Sequence, residues 1–288
     1  MEADVCMNAN GDVHERVRTS CVPAAHRLLV LLAASLAGVA PTAADDSAPS
    51  GDEIIHRFVE VSGGREAYAS IRNRVILAKL DLPDHGWEGE LAEIFVPPDY
   101  RRVIVIDNYR PVVHGINHGK PWQRTPLGPR NPLGQGPELA GVNAADLKLL
   151  GQLNPFLDWS SAPGKARVER EIAIEGEDCF RVEVTLPDGH IVYAYFSKET
   201  GLLRQLHNFN ANLFRYYDDY REHDGVLIPH NVHVDAGMIM MGFEFIRIEQ
   251  NVDLTQLSVE DLFQTIEIEH IPGLLGIAED GSLQEPMD

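Results

Sequence analysis

The sequence predicts an α+β protein built on one antiparallel sheet of roughly ten strands, strongly curved, with a few helices set against one face. Three observations predict it. Beyond residue 74 the apolar residues recur with a period of two. The alternating runs are parted by hairpin-turn pairs such as Glu175-Gly176, Asp188-Gly189 and Asp224-Gly225. No strand-helix alternation of the kind that builds a parallel sheet is present.

Along the 288-residue chain the first segment stands apart. Leu28 to Ala40 is an apolar run (LLVLLAASLAGVA) behind His26 and Arg27, followed by Pro41-Thr42-Ala43-Ala44, small residues suited to a signal peptidase. It is shorter than the ~20 apolar residues that a membrane-spanning helix needs. Residues 1–44 are therefore expected to be an N-terminal extension and cleaved signal peptide, 45–51 a polar linker, 52–264 the folded domain and 265–288 a C-terminal tail. No cysteine follows the apolar run, so no lipid attachment is expected. The product should be a soluble periplasmic protein without stable membrane insertion. Cleavage removes Cys6 and Cys21 and leaves Cys179 alone, which excludes an internal disulfide.

Within the domain, Ile54, Ile55, Phe58 and Val61 form one apolar stripe of a helix over 52–61, stopped at Gly63-Gly64, and a second short helix is expected over 65–71. Strands follow at 75–82, 90–96 and 100–106, the last two parted by Pro97-Pro98-Asp99, a turn that no central strand carries. Residues 119–137 (GKPWQRTPLGPRNPLGQGP) read as a long irregular loop. A helix restarts with Asn143 as N-cap, carries Leu147, Leu149, Leu150 and Leu153, and ends at Pro155. The second half reads as strands at 168–175, 179–186, 190–196, 202–208, 214–221, 226–235 and 238–252, then a short helix over 258–263.

Lys and Arg total 24 against 44 Asp and Glu, a formal net charge of -20. That field repels phosphate backbones and excludes nucleic acid as a partner. Gly115-Ile116-Asn117-His118-Gly119-Lys120 has one residue too few between its glycines for a phosphate loop, and Pro121 stands where a hydroxyl would hold magnesium. It reads as a hairpin turn. Gly134-Gln135-Gly136 likewise fails the dinucleotide pattern, and G-x-S-x-G, H-E-x-x-H and C-x-x-C motifs are absent. No catalytic residue, metal ligand or cofactor is assigned. His207, His223, His230 and His233, with Asp218, Asp219 and Asp224 among them, leave one enzymatic alternative: an envelope hydrolase or metal-dependent enzyme. Against it, His230 and His233 are three apart on a strand and point to opposite faces.

The apolar residues are more informative. Met238 to Met241 with Phe243 and Phe245, and likewise Val103 to Ile106, leave little polarity on either face of their strands. Such strands need cover on both sides, by helices on one and a bound apolar ligand or a second layer on the other.

Four short patterns lie in order across most of residues 52–263: Gly63-Gly64-Arg65-Glu66-Ala67, Phe156-Leu157-Asp158-Trp159, Phe196-Ser197-Lys198-Glu199-Thr200-Gly201-Leu202-Leu203, and Asp219-Tyr220-Arg221-Glu222-His223-Asp224-Gly225-Val226-Leu227-Ile228-Pro229. In these the chain resembles the periplasmic carrier-like superfamily of the outer-membrane lipoprotein-sorting proteins LolA and LolB. The resemblance implies an unclosed antiparallel β-barrel of about eleven strands, its concave face covered by helices over an apolar cavity that binds acyl chains or other lipids without catalysis. The expected function is a periplasmic carrier or binding protein for a lipid-like ligand, whether an acyl chain or another hydrophobic small molecule. Alternation and aromatic position nominate Phe95, Ile104, Ile106, Trp122, Trp159, Tyr193, Tyr195, Met240, Phe243 and Phe245 as its lining. A further alternative is an interaction module, in which Trp122 and the proline-rich loop dock a protein partner of the cell envelope.

Overall fold

The computed structural model describes residues 48–106, 111–124, 142–159, 165–186, 189–237, 239–258 and 276–284. The signal-like run, the proline-rich stretch beyond residue 124 and most of the helix expected over 258–263 lie outside the described residues.

Among the described residues, twelve strands form one antiparallel sheet. The first half is a meander of β1 (Arg74–Leu82), β2 (Trp87–Val96), β3 (Asp99–Ile106), β4 (Val112–Asn117) and β5 (Lys120–Arg124). The second half runs through β6 (Lys165–Ile174), β7 (Glu177–Thr185), β8 (Ile191–Ser197), β9 (Leu203–Asn208), β10 (Leu213–His223), β11 (Val226–Asp235) and β12 (Met240–Gln250). The spatial order is β5-β4-β3-β2-β1-β12-β11-β10-β9-β8-β7-β6. Pairing of β1 with β12 joins the halves, while β5 and β6 remain as separate edges, so the sheet is curved and unclosed.

The sheet exceeds the expected count by the hairpin β4–β5. Residues 119–124, read as irregular loop, continue into a strand that includes Pro121. This is possible because β5 is an edge, where a missing N–H deprives no neighbour. The turns are those the sequence announces: Glu175-Gly176 and Asp224-Gly225 both take consecutive positive φ values (50 and 86; 47 and 83), the backbone of a type I′ hairpin.

Helix α1 (Gly51–Val61) begins in a capping box. The Ser50 side chain accepts from the Glu53 N–H, and the Glu53 carboxylate accepts from the Ser50 N–H. Its buried stripe is Ile54, Ile55, Phe58 and Val59; Val61, expected in that stripe, is exposed. Helix α2 (Gly64–Ala69) follows, and α3 (Val142–Leu150) links the two halves of the sheet. Asn143 lies inside α3 instead of capping it, and the helix stops at Leu150, before Pro155.

The sheet is apolar on both faces of its first half. On the helix-bearing, concave face of that half, Leu147 of α3 packs on Ile76, Phe95, Tyr100 and Ile116, while in the second half α1 with Phe156 and Trp159 packs on Val182, Val184, Val192, Ala194, Phe196, Leu203 and Leu206. On the convex face, Val75, Leu77, Ala92, Ile94, Val103, Val105, Val113 and Trp122 are covered by Leu254 and Leu283. Two-sided cover therefore holds for β3, whose Val103 and Val105 face outwards and whose Ile104 and Ile106 face inwards. It does not hold for β12, where Met240 is 47% and Ile246 51% exposed. No described helix is long and apolar enough to cross a membrane.

Candidate functional site: a cavity under the helices

Between the concave face and the segment from Leu149 to Pro155 lies a cavity of ≈ 140 Å³. Its floor is built by alternation. Ile76 on β1, Leu91 and Phe95 on β2, Val232 and Val234 on β11, and Phe243 and Phe245 on β12 share one parity with their cross-strand partners. Tyr217 and Tyr220 both reach it from β10, although a spacing of three puts two residues on opposite faces of a regular strand. Asp219 between them has φ 52, and this left-handed residue turns the strand so that Tyr220 swings inwards. The Tyr220 hydroxyl donates to the Leu203 carbonyl at 2.7 Å, which satisfies its polar end.

Five charged side chains interrupt this apolar lining and its rim. Glu93, opposite Ile76, accepts from the Tyr100 hydroxyl at 2.7 Å and stands 3.5 Å from Arg102 Nε. Arg102 also lies 5.0 Å over the Phe243 ring, a cation–π contact. Arg215 on β10, 3% exposed, is held by both carboxylate oxygens of Asp146 on α3. Burial works against the Arg215 charge, but Asp146 more than restores it, so its pKa stands above the ordinary value. Arg74, the first residue of β1, has no such partner: burial pulls its pKa down to about 10, against the smaller opposing influence of Tyr68 and Glu93.

Leu149, Gln152, Leu153, Asn154 and Pro155 also line a wider cleft of ≈ 700 Å³ with Pro97, Pro98, Ile116, Leu157, Trp159 and Leu186. The 149–155 segment is thus the wall between cavity and cleft. Asn154 anchors it: its amide donates to Ser62 Oγ at 3.0 Å and to Tyr68 OH at 3.3 Å, and its carbonyl oxygen accepts from the Phe156 N–H at 2.9 Å.

Of the ten residues nominated from sequence, Phe95, Phe243 and Phe245 line the cavity. Ile104 and Ile106 share its face and pack beside Phe243. Trp159 lines the cleft and donates its indole N–H to Asp52 at 2.6 Å. The other four stand elsewhere. Trp122 is on the convex face, its ring laid across Gly115 and beneath Arg101. Tyr193 and Tyr195 have the parity opposite to Val192, Ala194 and Phe196, and the Arg181 guanidinium covers them from outside. Met240 is exposed, and its neighbour Met241 takes the inward position. Period two defines two faces without saying which is concave, and these four stand on the face away from the cavity. Arg74, Glu93, Arg102 and Arg215 were missed because charged residues are expected outside. Their signal was parity, since Arg74 aligns with Ile76, Ala78 and Leu80.

The histidines of the enzymatic alternative are divided between the faces. His207 stacks on Phe214 at 3.9 Å and His233 is exposed. His223 and His230 meet on the inner side with Nε2 atoms 2.7 Å apart. His230 Nδ1 lies 2.9 Å from the Phe245 carbonyl, which can only accept, so Nδ1 carries a proton. Burial, then His230 and Arg74, lower the His223 pKa. Asp218 and Asp219 are engaged by Arg204 and Arg221. Among the described residues no three His, Cys, Asp or Glu side chains are grouped as metal ligands.

No family model and no curated protein matches the sequence. Solved structures do. LolA-superfamily proteins are among the structural neighbours. A DUF1329 family protein from Desulfovibrio piger is 11% identical and has a TM-score of 0.46, over 76% of this chain and 99% of that one. A putative outer membrane lipoprotein-sorting protein domain from Vibrio parahaemolyticus is 13% identical with a TM-score of 0.44, over 72% and 97%. A LolA superfamily protein from Nitrosomonas europaea is 12% identical with a TM-score of 0.44, over 75% and 99%.

Proposed function

We propose that the chain is a non-catalytic periplasmic carrier or binding protein for a lipid-like ligand, held on the concave face beneath α3 and the 149–155 segment. The observation that carries this reading is the apolar cavity itself, lined by Phe95, Phe243, Phe245, Leu91 and Val232 and parted by one short wall from a larger apolar cleft. The cavity alone is below the roughly 300–1,000 Å³ of a small-molecule site, and the cleft lies within that range. An acyl chain would therefore occupy both, passing where Leu153 and Leu149 now stand. Burial of its methylenes at ~25 cal/mol per Å² supplies the affinity without a reacting group.

The test is native mass spectrometry, with solvent extraction, of the protein purified from the periplasm. A co-purifying apolar molecule is expected, and Val232→Trp, which fills the cavity floor, should remove it while the circular dichroism spectrum is kept. A wild-type protein that emerges empty and takes up no lipid from vesicles would refute the reading.

A further inference from the structure

The cavity wall holds one charge that the protein does not balance. Arg74 is 3% exposed, and its Nη1 donates to the Leu153 carbonyl over a long 3.4 Å. Its Nε and Nη2 meet no hydrogen-bond partner. Those two atoms form one edge of the guanidinium plane, with N–H bonds side by side at the spacing that receives both oxygens of one carboxylate. Glu93 does not fill the edge: neither of its oxygens hydrogen-bonds Nε or Nη2, and its Oε1 faces Tyr100 and Arg102. Three guanidinium groups line the cavity (Arg74, Arg102 and Arg215), but only Glu93 among its lining residues is a carboxylate, and Asp146 is taken by Arg215. In a chain of net charge -20 the cavity thus concentrates positive charge. A guanidinium taken out of water and left unpaired is strongly unfavourable, and a neutral lipid tail would leave it so.

Resting on the carrier reading, we propose that the ligand is a long-chain fatty acid whose carboxylate pairs with the Nε–Nη2 edge of Arg74, its chain lying along Ile76, Phe95 and Phe245. The confined space around Arg74 selects the head group: ≈ 140 Å³ beside a nearly inaccessible side chain suits a planar carboxylate better than a glycerophosphate.

Equilibrium dialysis of the delipidated full-length protein against tritiated palmitate, 1-hexadecanol and lysophosphatidic acid tests it. Palmitate should bind roughly 10- to 100-fold tighter than hexadecanol, the size of a hydrogen-bonded charge pair. Arg74→Gln should erase that preference by bringing palmitate affinity down to that of hexadecanol, and Arg74→Lys, which keeps the charge without the two-donor edge, should retain part of it. Equal affinities in the wild type, or a preference that survives in Arg74→Gln, would overturn the inference and leave Arg74 a water-satisfied structural residue. Tighter binding of lysophosphatidic acid than of palmitate would overturn the carboxylate in favour of a phosphate head. Binding of none of the three would instead count against the carrier reading itself. Should Arg74→Gln fail to fold, Arg74→Met serves in its place, and the wild-type comparison stands without either.

Discussion

His114 shows how a single half-buried base ties stability to pH. It sits on β4 opposite Arg102, and burial first, then the Arg102 charge, lower its pKa from 6.5 to about 4, with Asp146 opposing. Between those two values the unfolded chain takes up a proton that the folded chain refuses, so stability falls as pH drops from 6.5 towards 4 and is unaffected above. The full window corresponds to a loss of up to about 3 kcal/mol at pH 4. His207 and His223, also lowered from 6.5, act in the same direction. Asp218 acts in the same sense but only near and below its ordinary 3.8, because its pKa is depressed by Arg204. Urea unfolding at pH 7, 5.5 and 4.5 should show a declining free energy whose slope is shallower in His114→Gln; identical slopes would mean that His114 protonates freely in the native state. None of this was legible from residue types. A histidine, an arginine or a glutamate within a strand is expected on the solvent side, and only the parity shared with apolar neighbours places His114, Arg102 and Glu93 inside.

Helix α3 is held differently from α1, which packs a full apolar stripe on the sheet. Leu147 and Leu149 are buried, but the specific tie is the two-pronged pair between Asp146 and Arg215 of β10. Removing one partner of a buried pair strands the other, so Asp146→Ala should destabilise the protein by about 3–5 kcal/mol. The double replacement Asp146→Leu with Arg215→Met should lose much less, because no charge is left unpaired. Denaturant unfolding of the three variants checks this, and a double variant no better than Asp146→Ala would show that the pair's geometry, not its charge, positions the helix. Elements were the scale at which sequence spoke most clearly. Ten of the twelve strands follow from alternation, and left-handed turn pairs mark their ends. The turn of the hairpin β4–β5 was legible at His118-Gly119, but strand β5 was hidden by Pro121, since a proline excludes a central strand and only knowledge of the edge position readmits it. Which face is concave was equally hidden, because it is decided by where α1 and α3 dock, a long-range fact that alternation does not contain.

At the scale of the whole molecule, a sheet apolar on both sides of its first half needs two covers, and the chain supplies them from separate stretches. Helix α3 covers the concave side there, as α1 does in the second half; residues 252–257 and 276–284 cover the convex one. The latter segment is a small hairpin, bridged at Ile277 and Leu283 and closed by Gln284 N–H to Gly276 carbonyl at 2.7 Å. It is tied to the sheet where Arg101, fully buried, donates to the Gln284 carbonyl. Residues 276–284, expected to belong to a tail, are therefore packed on the sheet. Leu283 is 3% exposed among Val75, Val103 and their neighbours, and its truncation to alanine should remove about 2–4 kcal/mol of stability through lost burial and an unfilled cavity. Because these contacts lie across the sheet from Phe243 and Phe245, ligand retention by the folded fraction should be unchanged. The measurement is urea unfolding of Leu283→Ala alongside solvent extraction of the same preparation. A change below about 0.5 kcal/mol, the size of an ordinary surface substitution, would show that the convex cover does not hold the sheet in solution. Loss of ligand at full stability would show that the two faces are coupled.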